Sequence, residues 1–141
     1  MSEKNDDSGK VMLILTKEAN LLVPMIKLCD KTRYDVLRGK MHLEKWTYSE
    51  ILRQLGMEIE NKDGRDSEAG SLMFENAKRM GIYEKIIEMP SAARKVASER
   101  GLKLSNWELT GLLDSLGLEI EKITGTEYPV QREENYYANL Y

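Results

Sequence analysis

Apolar side chains recur with the spacing of one helical face in two stretches of the chain. In both they lie at positions i, i+3, i+4 and i+7, which is the period of an amphipathic helix. Thr47 with Glu50, and Ser105 with Glu108, form capping boxes near the two starts. The pattern predicts two amphipathic helices, whose apolar faces are Tyr48, Ile51, Leu52 and Leu55 in the first and Leu109, Leu112, Leu113 and Leu116 in the second.

Each predicted helix runs into a glycine, Gly56 or Gly117, that is followed by alternating apolar and acidic residues. Glycine often ends a helix because it adopts the left-handed conformation at little cost. Residues 57–60 are Met-Glu-Ile-Glu and residues 118–121 are Leu-Glu-Ile-Glu, an alternation typical of a half-buried strand. We therefore expect a unit made of a helix, a glycine and a short strand.

The two units belong to a longer internal similarity. When residues 43–61 are aligned with residues 104–122, at an offset of 61, eight of nineteen positions are identical. Both tryptophans of the chain fall into this alignment. It predicts a duplicated unit, and the identical pairs are Leu43/Leu104, Trp46/Trp107, Leu52/Leu113, Leu55/Leu116, Gly56/Gly117, Glu58/Glu119, Ile59/Ile120 and Glu60/Glu121.

The expected fold class is mainly α with a small β component, organised as a duplicated helix-glycine-strand unit that is helix-turn-helix-like. Residues 1–9 are polar and are expected to form a disordered tail. Residues 10–124 are expected to form a single compact domain with an internal repeat at about 20–61 and 81–122. Residues 125–141 hold four tyrosines and are expected to form an extended arm.

The helix-turn-helix expectation rests on residues 91–104. A helix over 91–100 would be followed by a four-residue turn that starts at Gly101, and Ala97 supplies the small residue needed where two helices cross closely. The outward side chains of the next helix include two acids and no lysine or arginine. Recognition helices usually offer Arg, Lys, Asn or Gln to base edges. The spacing therefore favours a helix-turn-helix fold, whereas the side chains give little support for contacts with bases.

The amino-acid composition excludes several kinds of functional site. With one cysteine and one histidine, the chain holds no intramolecular disulfide and no zinc site of four Cys/His ligands. The sequence lacks a glycine-rich phosphate loop, and Cys29 and His42 lie in settings typical of a core thiol and a surface imidazole. We therefore expect no enzymatic activity, no cofactor and no metal. The absence of a long apolar run and the polar N-terminus predict no membrane association and a cytoplasmic location.

Four acids in the alternating segments leave two interpretations open. On a strand, Glu58 and Glu60, like Glu119 and Glu121, would project from one face. Together they could hold a divalent cation through carboxylate oxygens. They could equally form the solvent face of an edge strand, where charge opposes pairing with another sheet. We favour the edge strand.

The net charge of −3 conceals an uneven distribution. Residues 27–56 carry seven bases and four acids, a sum of +3, and residues 78–103 carry seven bases and three acids, a sum of +4. Basic tracts of this kind are typical of surfaces that follow a phosphate backbone. The candidate nucleic-acid-binding residues are Lys40, Lys45, Arg53, Lys78, Arg79, Arg94, Lys95, Arg100 and Lys103.

These patterns favour a non-catalytic regulatory protein that associates with nucleic acid or with a nucleic-acid-handling complex. The alternative is a protein-protein adaptor or inhibitor subunit without direct nucleic-acid contact, in which methionines such as Met80 supply adaptable apolar surface. Aromatic residues are enriched at protein interfaces. We expect a protein partner, and leave a nucleic-acid partner and a homo-oligomer open; the candidate partner-binding residues are Tyr128, Tyr136, Tyr137 and Tyr141.

Overall fold

A computed structural model of the chain describes residues 6–43, 45–64, 66–105 and 107–124. In these ranges the protein is mainly helical, as the sequence predicts, and contains no strand. The helices over this part of the chain are α1 (Ser8–Glu18), α2 (Leu22–Arg38), α3 (Tyr48–Ile59), α4 (Ser67–Arg79), α5 (Tyr83–Ile87), α6 (Met89–Arg100) and α7 (Leu109–Thr124).

The predicted short strands are wrong, because both alternating segments continue a helix. Residues 57–59 form the last turn of α3, and residues 118–121 lie inside α7. The apolar stripe extends by one helical turn to Ile59 and Ile120, four residues beyond Leu55 and Leu116. An alternation only four residues long fits the helical and the extended period equally well, and here the longer helical stripe prevails.

Gly56 and Gly117 do not end their helices; they allow α3 and α7 to cross closely. A Cβ atom on Gly56 would lie 2.5 Å from the Cα of Thr110, and one on Gly117 would lie 2.3 Å from the Cα of Ser49. Each glycine therefore faces the first turn of the other helix. The two contacts are reciprocal, since Ser49 and Thr110, like the two glycines, are 61 positions apart.

The remaining helices surround the central α3–α7 pair. We call α1 to α3 the first half of the molecule and α4 to α7 the second half. Helix α4 packs on α3 and α2, and α1 packs on α7 and α6, so the first helix of each half lies against the other half. Four left-handed backbone positions also match across the halves, at Asn20 and Gly81 and at Lys40 and Gly101. Buried apolar side chains from both halves fill one core.

The N-terminal part of the described chain is anchored. Ser8 is buried in the first turn of α1, so residues 8 and 9 are helical within the segment 1–9 that was predicted to be disordered. The amide of Asp7 donates to the carbonyl of Lys103 at 2.7 Å, and its carboxylate accepts from the Lys103 amide at 3.0 Å. The predicted arm, residues 125–141, lies outside the described residues, and so do the four candidate tyrosines.

The predicted four-residue turn before α7 is wrong, and with it the helix-turn-helix geometry. Helix α6 ends at Arg100 and α7 begins at Leu109, so residues 101–108 connect them. Helix α7 buries its apolar stripe in the core and crosses α3 closely at Gly117. A recognition helix must present a free face to a DNA groove, whereas α7 is a central helix of the bundle. Along the described residues, no helix has the length and apolar character needed to cross a bilayer.

Candidate nucleic-acid interface

Eight of the nine predicted nucleic-acid-binding residues are exposed. The exception is Arg53, which lies on α3 and donates to the nearly buried carboxylate of Glu50 at 3.0 Å. Because Arg53 is engaged by an acid on its own helix, we remove it from the candidate surface. The exposed residues are Lys40 and Lys45 after α2, Lys78 and Arg79 at the end of α4, Arg94, Lys95 and Arg100 on α6, and Lys103 after α6.

The structure brings one of these bases, Arg94, next to an exposed aromatic ring. Arg94 and Lys95 are exposed on α6, and the Arg94 guanidinium carbon lies 5.1 Å from the ring centroid of Trp107. Trp107 itself is 58% exposed. A guanidinium within about 6 Å of an indole centroid is a cation-π pair. We call Arg94, Lys95, Lys103 and Trp107 the α6 surface.

Local structure fixes the position of this surface. Pro90 lies in the first turn of α6, where a missing amide donor does no harm, and Gly101 ends the helix in the left-handed conformation at φ 65°. The two hydrogen bonds between Asp7 and Lys103 then hold the following loop against the start of α1. Arg100 is less available for a ligand, because it forms an exposed ion pair with Glu18.

A second basic group lies at the junction of α4 and α5. The Lys78 ammonium lies 4.3 Å from the ring centroid of Phe74 and 5.5 Å from that of Tyr83. These two rings meet edge to face at 5.0 Å. The junction opens into a hollow of about 590 Å³ in which acids balance the lysines, so it offers no net positive charge; its lining is Lys78, Gly81, Tyr83, Glu84, Lys85 and Glu88.

The arginine and the tryptophan that are exposed in the second half have less exposed counterparts in the first half. Arg33, which precedes Arg94 by 61 positions, is completely buried, and its guanidinium carbon lies 3.9 Å from the ring centroid of Tyr48. Asp30 accepts from the Arg33 guanidinium at 3.2 Å and from the Tyr48 hydroxyl at 3.1 Å. Trp46 is half-buried against the core, whereas Trp107 is exposed. The α6 surface is thus a feature of one half of the molecule.

Two of the four acids that suggested either a cation site or an edge strand accept hydrogen bonds at helix starts. Two oxygens of Glu60 accept from the amides of Leu109 and Thr110 at 3.0 and 3.1 Å, which caps the start of α7. Glu121 accepts from the Ser49 amide at 2.7 Å near the start of α3. Within the described ranges, no three His, Cys, Asp or Glu side chains are placed to hold a metal ion.

Of the two predicted capping boxes, the structure shows the hydroxyl cap of the first. The Thr47 hydroxyl accepts from the Glu50 amide at 3.2 Å, so Thr47 caps α3 as predicted. Ser105 lies four residues before α7 and does not cap it, and Glu108 instead pairs with Lys62 at 2.8 Å. Because Glu60 supplies the cap of α7 from another helix, no local sequence signal marks it.

The nucleophile candidates lack the setting that catalysis needs. Cys29 is fully buried, and this burial raises the pKa of its thiol far above the usual range, an effect that Arg33 only partly opposes. A thiol that stays protonated is a poor nucleophile. His42 is exposed on the segment that follows α2. These two residues therefore offer no nucleophile-base pair.

Comparison with known proteins adds no assignment to this geometry. No protein family, curated protein or solved structure matches the chain. Sequence reasoning found the bases of the α6 surface but missed Trp107 as their companion, because the alignment with Trp46 indicated a shared structural role. The two tryptophans differ in their contact with the matching arginine. Arg94 lies over the ring of Trp107, whereas Arg33 lies over the ring of Tyr48.

Proposed function

We propose that the protein is an internally duplicated, non-catalytic regulator that binds single-stranded nucleic acid through the α6 surface. The observation that carries this proposal is the exposed indole of Trp107 beside the guanidinium of Arg94. A base can stack on an exposed aromatic ring, and such stacking contributes about 1–3 kcal/mol per base. Lys95 and Lys103 lie on the same helix or directly after it, where they can meet the adjoining phosphates.

The central position of α7 in the bundle favours a single strand over a duplex. Duplex reading by a helical protein needs a helix whose face enters the major groove. The helix that the sequence assigns to this role crosses α3 at Gly117 and packs into the core. A single strand exposes its bases to a surface aromatic residue and needs no inserted helix.

Matched positions across the halves support the duplication. The close helix crossings, the carboxylate caps and four left-handed backbone positions, though not Asn61, occur in pairs spaced by 61 residues. Duplication also accounts for specialisation, since one copy can change while the other maintains the fold. In this proposal the second half carries the binding surface, and the first half buries its corresponding arginine.

Fluorescence anisotropy with a labelled oligothymidylate, measured over a series of salt concentrations, tests the proposal. Trp107→Ala should weaken binding by roughly 5- to 150-fold, the equivalent of one lost stacked base. Lys95→Gln and Lys103→Gln should each reduce the slope of log affinity against log salt by about 0.7. Lys85→Gln, an exposed lysine on α5, is the matched control and should leave both quantities unchanged.

Two outcomes would count against this function. Absence of binding at low salt would remove nucleic acid as a ligand of the α6 surface. Equal losses in Lys95→Gln and Lys85→Gln would mean that the strand responds to overall charge and not to this surface. Circular dichroism of each variant checks that the helices are retained.

One observation favours a protein adaptor as the second candidate function. Met80 and Ile87 are 36% and 43% exposed close to the α4–α5 hollow, and flexible apolar side chains suit a protein partner. If this function is correct, deletion of residues 128–141 or the change Ile87→Ser should abolish capture of the partner in a pull-down, with the helix content retained. Capture that is unchanged in both variants would contradict it.

A further inference from the structure

The two halves of the molecule meet through surfaces that are nearly self-complementary. The central contacts are reciprocal, with Gly56 against Thr110 and Gly117 against Ser49. The outer contacts are reciprocal as well, since α4 packs on the first half and α1 packs on the second. Surfaces related in this way have the geometry of a two-fold dimer interface. Two copies of the chain could therefore pair first half with first half and second half with second half.

A buried polar contact distinguishes α4 from α1. On α4, the Asn76 amide nitrogen donates to the Thr32 hydroxyl at 3.2 Å and to the Asp35 carboxylate at 3.1 Å, both on α2. Asn76 is only 1% exposed and Thr32 is fully buried. The groove in which α4 lies thus offers acceptors for the Asn76 amide nitrogen.

The groove for α1 lacks these acceptors. The residues 61 positions away from Asn76, Thr32 and Asp35 are Leu15, Ala93 and Val96. Leu15 and Ala93 are buried, and Val96 packs against the core. If α4 lay against α6, Asn76 would therefore be buried without those acceptors, which is strongly unfavourable.

A charge at the centre of the α3–α7 crossing acts in the same direction. Arg53 and Asp114 are 61 positions apart, and each lies midway between the two residues of its helix that make the close crossings. Arg53 attracts the Asp114 carboxylate electrostatically, while Glu50 and Glu121 repel it. If two α7 helices met, a second Asp114 would replace Arg53 and like charges would face each other.

We propose that Asn76 on α4 and Leu15 on α1 act as a specificity key that makes the two halves pair within one chain and not with the like halves of a second copy. A single buried polar residue selects helix partners and oligomeric state in the same way in coiled coils. The key would keep a duplicated chain from exchanging halves with a second copy. The inference concerns chain pairing and is independent of nucleic-acid binding.

Substitutions in the full-length protein give a graded test. Asn76→Leu makes the two first helices alike, so pairing within a chain and between chains become equivalent at this contact. The double variant Leu15→Asn/Asn76→Leu exchanges the two side chains. Asparagine on α1 then matches the acceptors on α2, and leucine on α4 matches the apolar groove at α6. These matches form only when like halves of two copies pair. After refolding at low and at high protein concentration, light scattering coupled to size-exclusion chromatography measures the dimer fraction.

We expect the wild-type protein to refold as the closed single chain. Asn76→Leu should raise the dimer-to-monomer ratio on the order of tenfold, and the exchanged double variant should raise it further. Ile86→Val, which trims a fully buried side chain on α5, controls for lost stability alone and should not form dimers.

The proposal fails if the exchanged double variant refolds to the same monomer fraction as the wild type at high concentration. It also fails if Ile86→Val dimerises as much as Asn76→Leu, because dimerisation would then follow from a weakened core. In parallel, anisotropy measures the affinity of the monomer fraction for oligothymidylate. The nucleic-acid proposal is thereby tested independently of the pairing proposal.

Discussion

The carboxylate of Glu60, directly after α3, accepts a hydrogen bond of 3.1 Å from the amide of Thr110 in the first turn of α7. Its counterpart at the other end of the crossing is Glu121, which accepts from Ser49 at 2.7 Å. Each central helix thus receives its anionic cap from the far end of the other. Negative charge at a helix N-terminus satisfies free amides and interacts favourably with the helix dipole. The two caps, together with the glycine crossings, fix how α3 and α7 lie against each other.

Glu60→Gln should lower the free energy of unfolding by about 1 kcal/mol at neutral pH, the usual size of a lost cap. Burial of the Glu60 carboxyl opposes its ionisation, but hydrogen bonds from Thr110 and Leu109 and the charge of Lys62 hold its pKa below 4.5. Its stabilising contribution is therefore complete above pH 4.5 and is lost as the pH falls through the lower pKa of the folded state.

Urea unfolding of the Glu60 variant and the wild type at several pH values measures this difference. The gap between the two proteins should close at acidic pH. Glu84→Gln removes an exposed carboxylate from α5 and serves as the control, with no gap expected at any pH. A gap that persists unchanged at the lowest pH would show that the Glu60 charge is not the source of the stabilisation.

Gly117→Ala should destabilise the protein by about 1–3 kcal/mol, although alanine is the better helix former. The added Cβ would lie 2.3 Å from the Cα of Ser49 and 2.5 Å from its amide nitrogen, so α3 and α7 would have to move apart. Thermal unfolding followed by circular dichroism gives the change. Ser115→Ala on the same helix should shift stability by less than about 0.5 kcal/mol. A raised melting temperature for Gly117→Ala would contradict the close crossing.

Asp114→Asn should stabilise the protein at neutral pH. Burial raises the pKa of the Asp114 carboxyl above 3.8, and Glu121 and Glu50 add to the shift while Arg53 opposes it. Because the folded state holds this proton more tightly than the unfolded state, the wild type loses stability as the pH rises from 3.8 through the raised pKa. The asparagine variant should lack this loss, so the two proteins should converge at low pH. Parallel pH profiles would refute this assignment.

Asp30→Asn should cost about 3 kcal/mol, because it removes a carboxylate charge that pairs with the fully buried guanidinium of Arg33. Ser91→Asn, at the matching position of the second half, introduces the same side chain on the exposed face of α6 and should have little effect. Equilibrium unfolding in urea compares the two. If both variants unfold at the same denaturant concentration, the Asp30–Arg33 pair contributes little to the fold.

The helices could be predicted from the sequence, but the C-terminal ends of the two central helices could not. Apolar spacing located the faces of α3 and α7, and the capping signal at Thr47 marked the start of α3. Glycine was interpreted as a stop because, judged locally, its commonest role near a helix end is termination. Gly56 and Gly117 serve the crossing instead, and this role depends on a helix that lies 61 positions away in the chain.

The basic residues of the α6 surface were found from the sequence, but their arrangement was not. Charge counting placed Arg53 with the surface bases, while the structure pairs it with the nearly buried Glu50 on the same helix. It also treated Arg33 as one more base in the first tract, although that side chain is fully buried against Tyr48. Net charge sums over residues regardless of direction, so it does not distinguish an interior arginine from an exposed one.

The sequence by itself determined that this chain is mainly helical, and it displayed the 61-residue similarity, because apolar periodicity and residue identity are properties of the chain alone. Only the tertiary structure decided that glycines mark a crossing, that glutamates cap distant helices, and that one of two equivalent tryptophans is exposed. Those outcomes depend on contacts between segments far apart in sequence. The sequence specifies the functional group of each side chain, but tertiary packing determines its partner and its access to solvent.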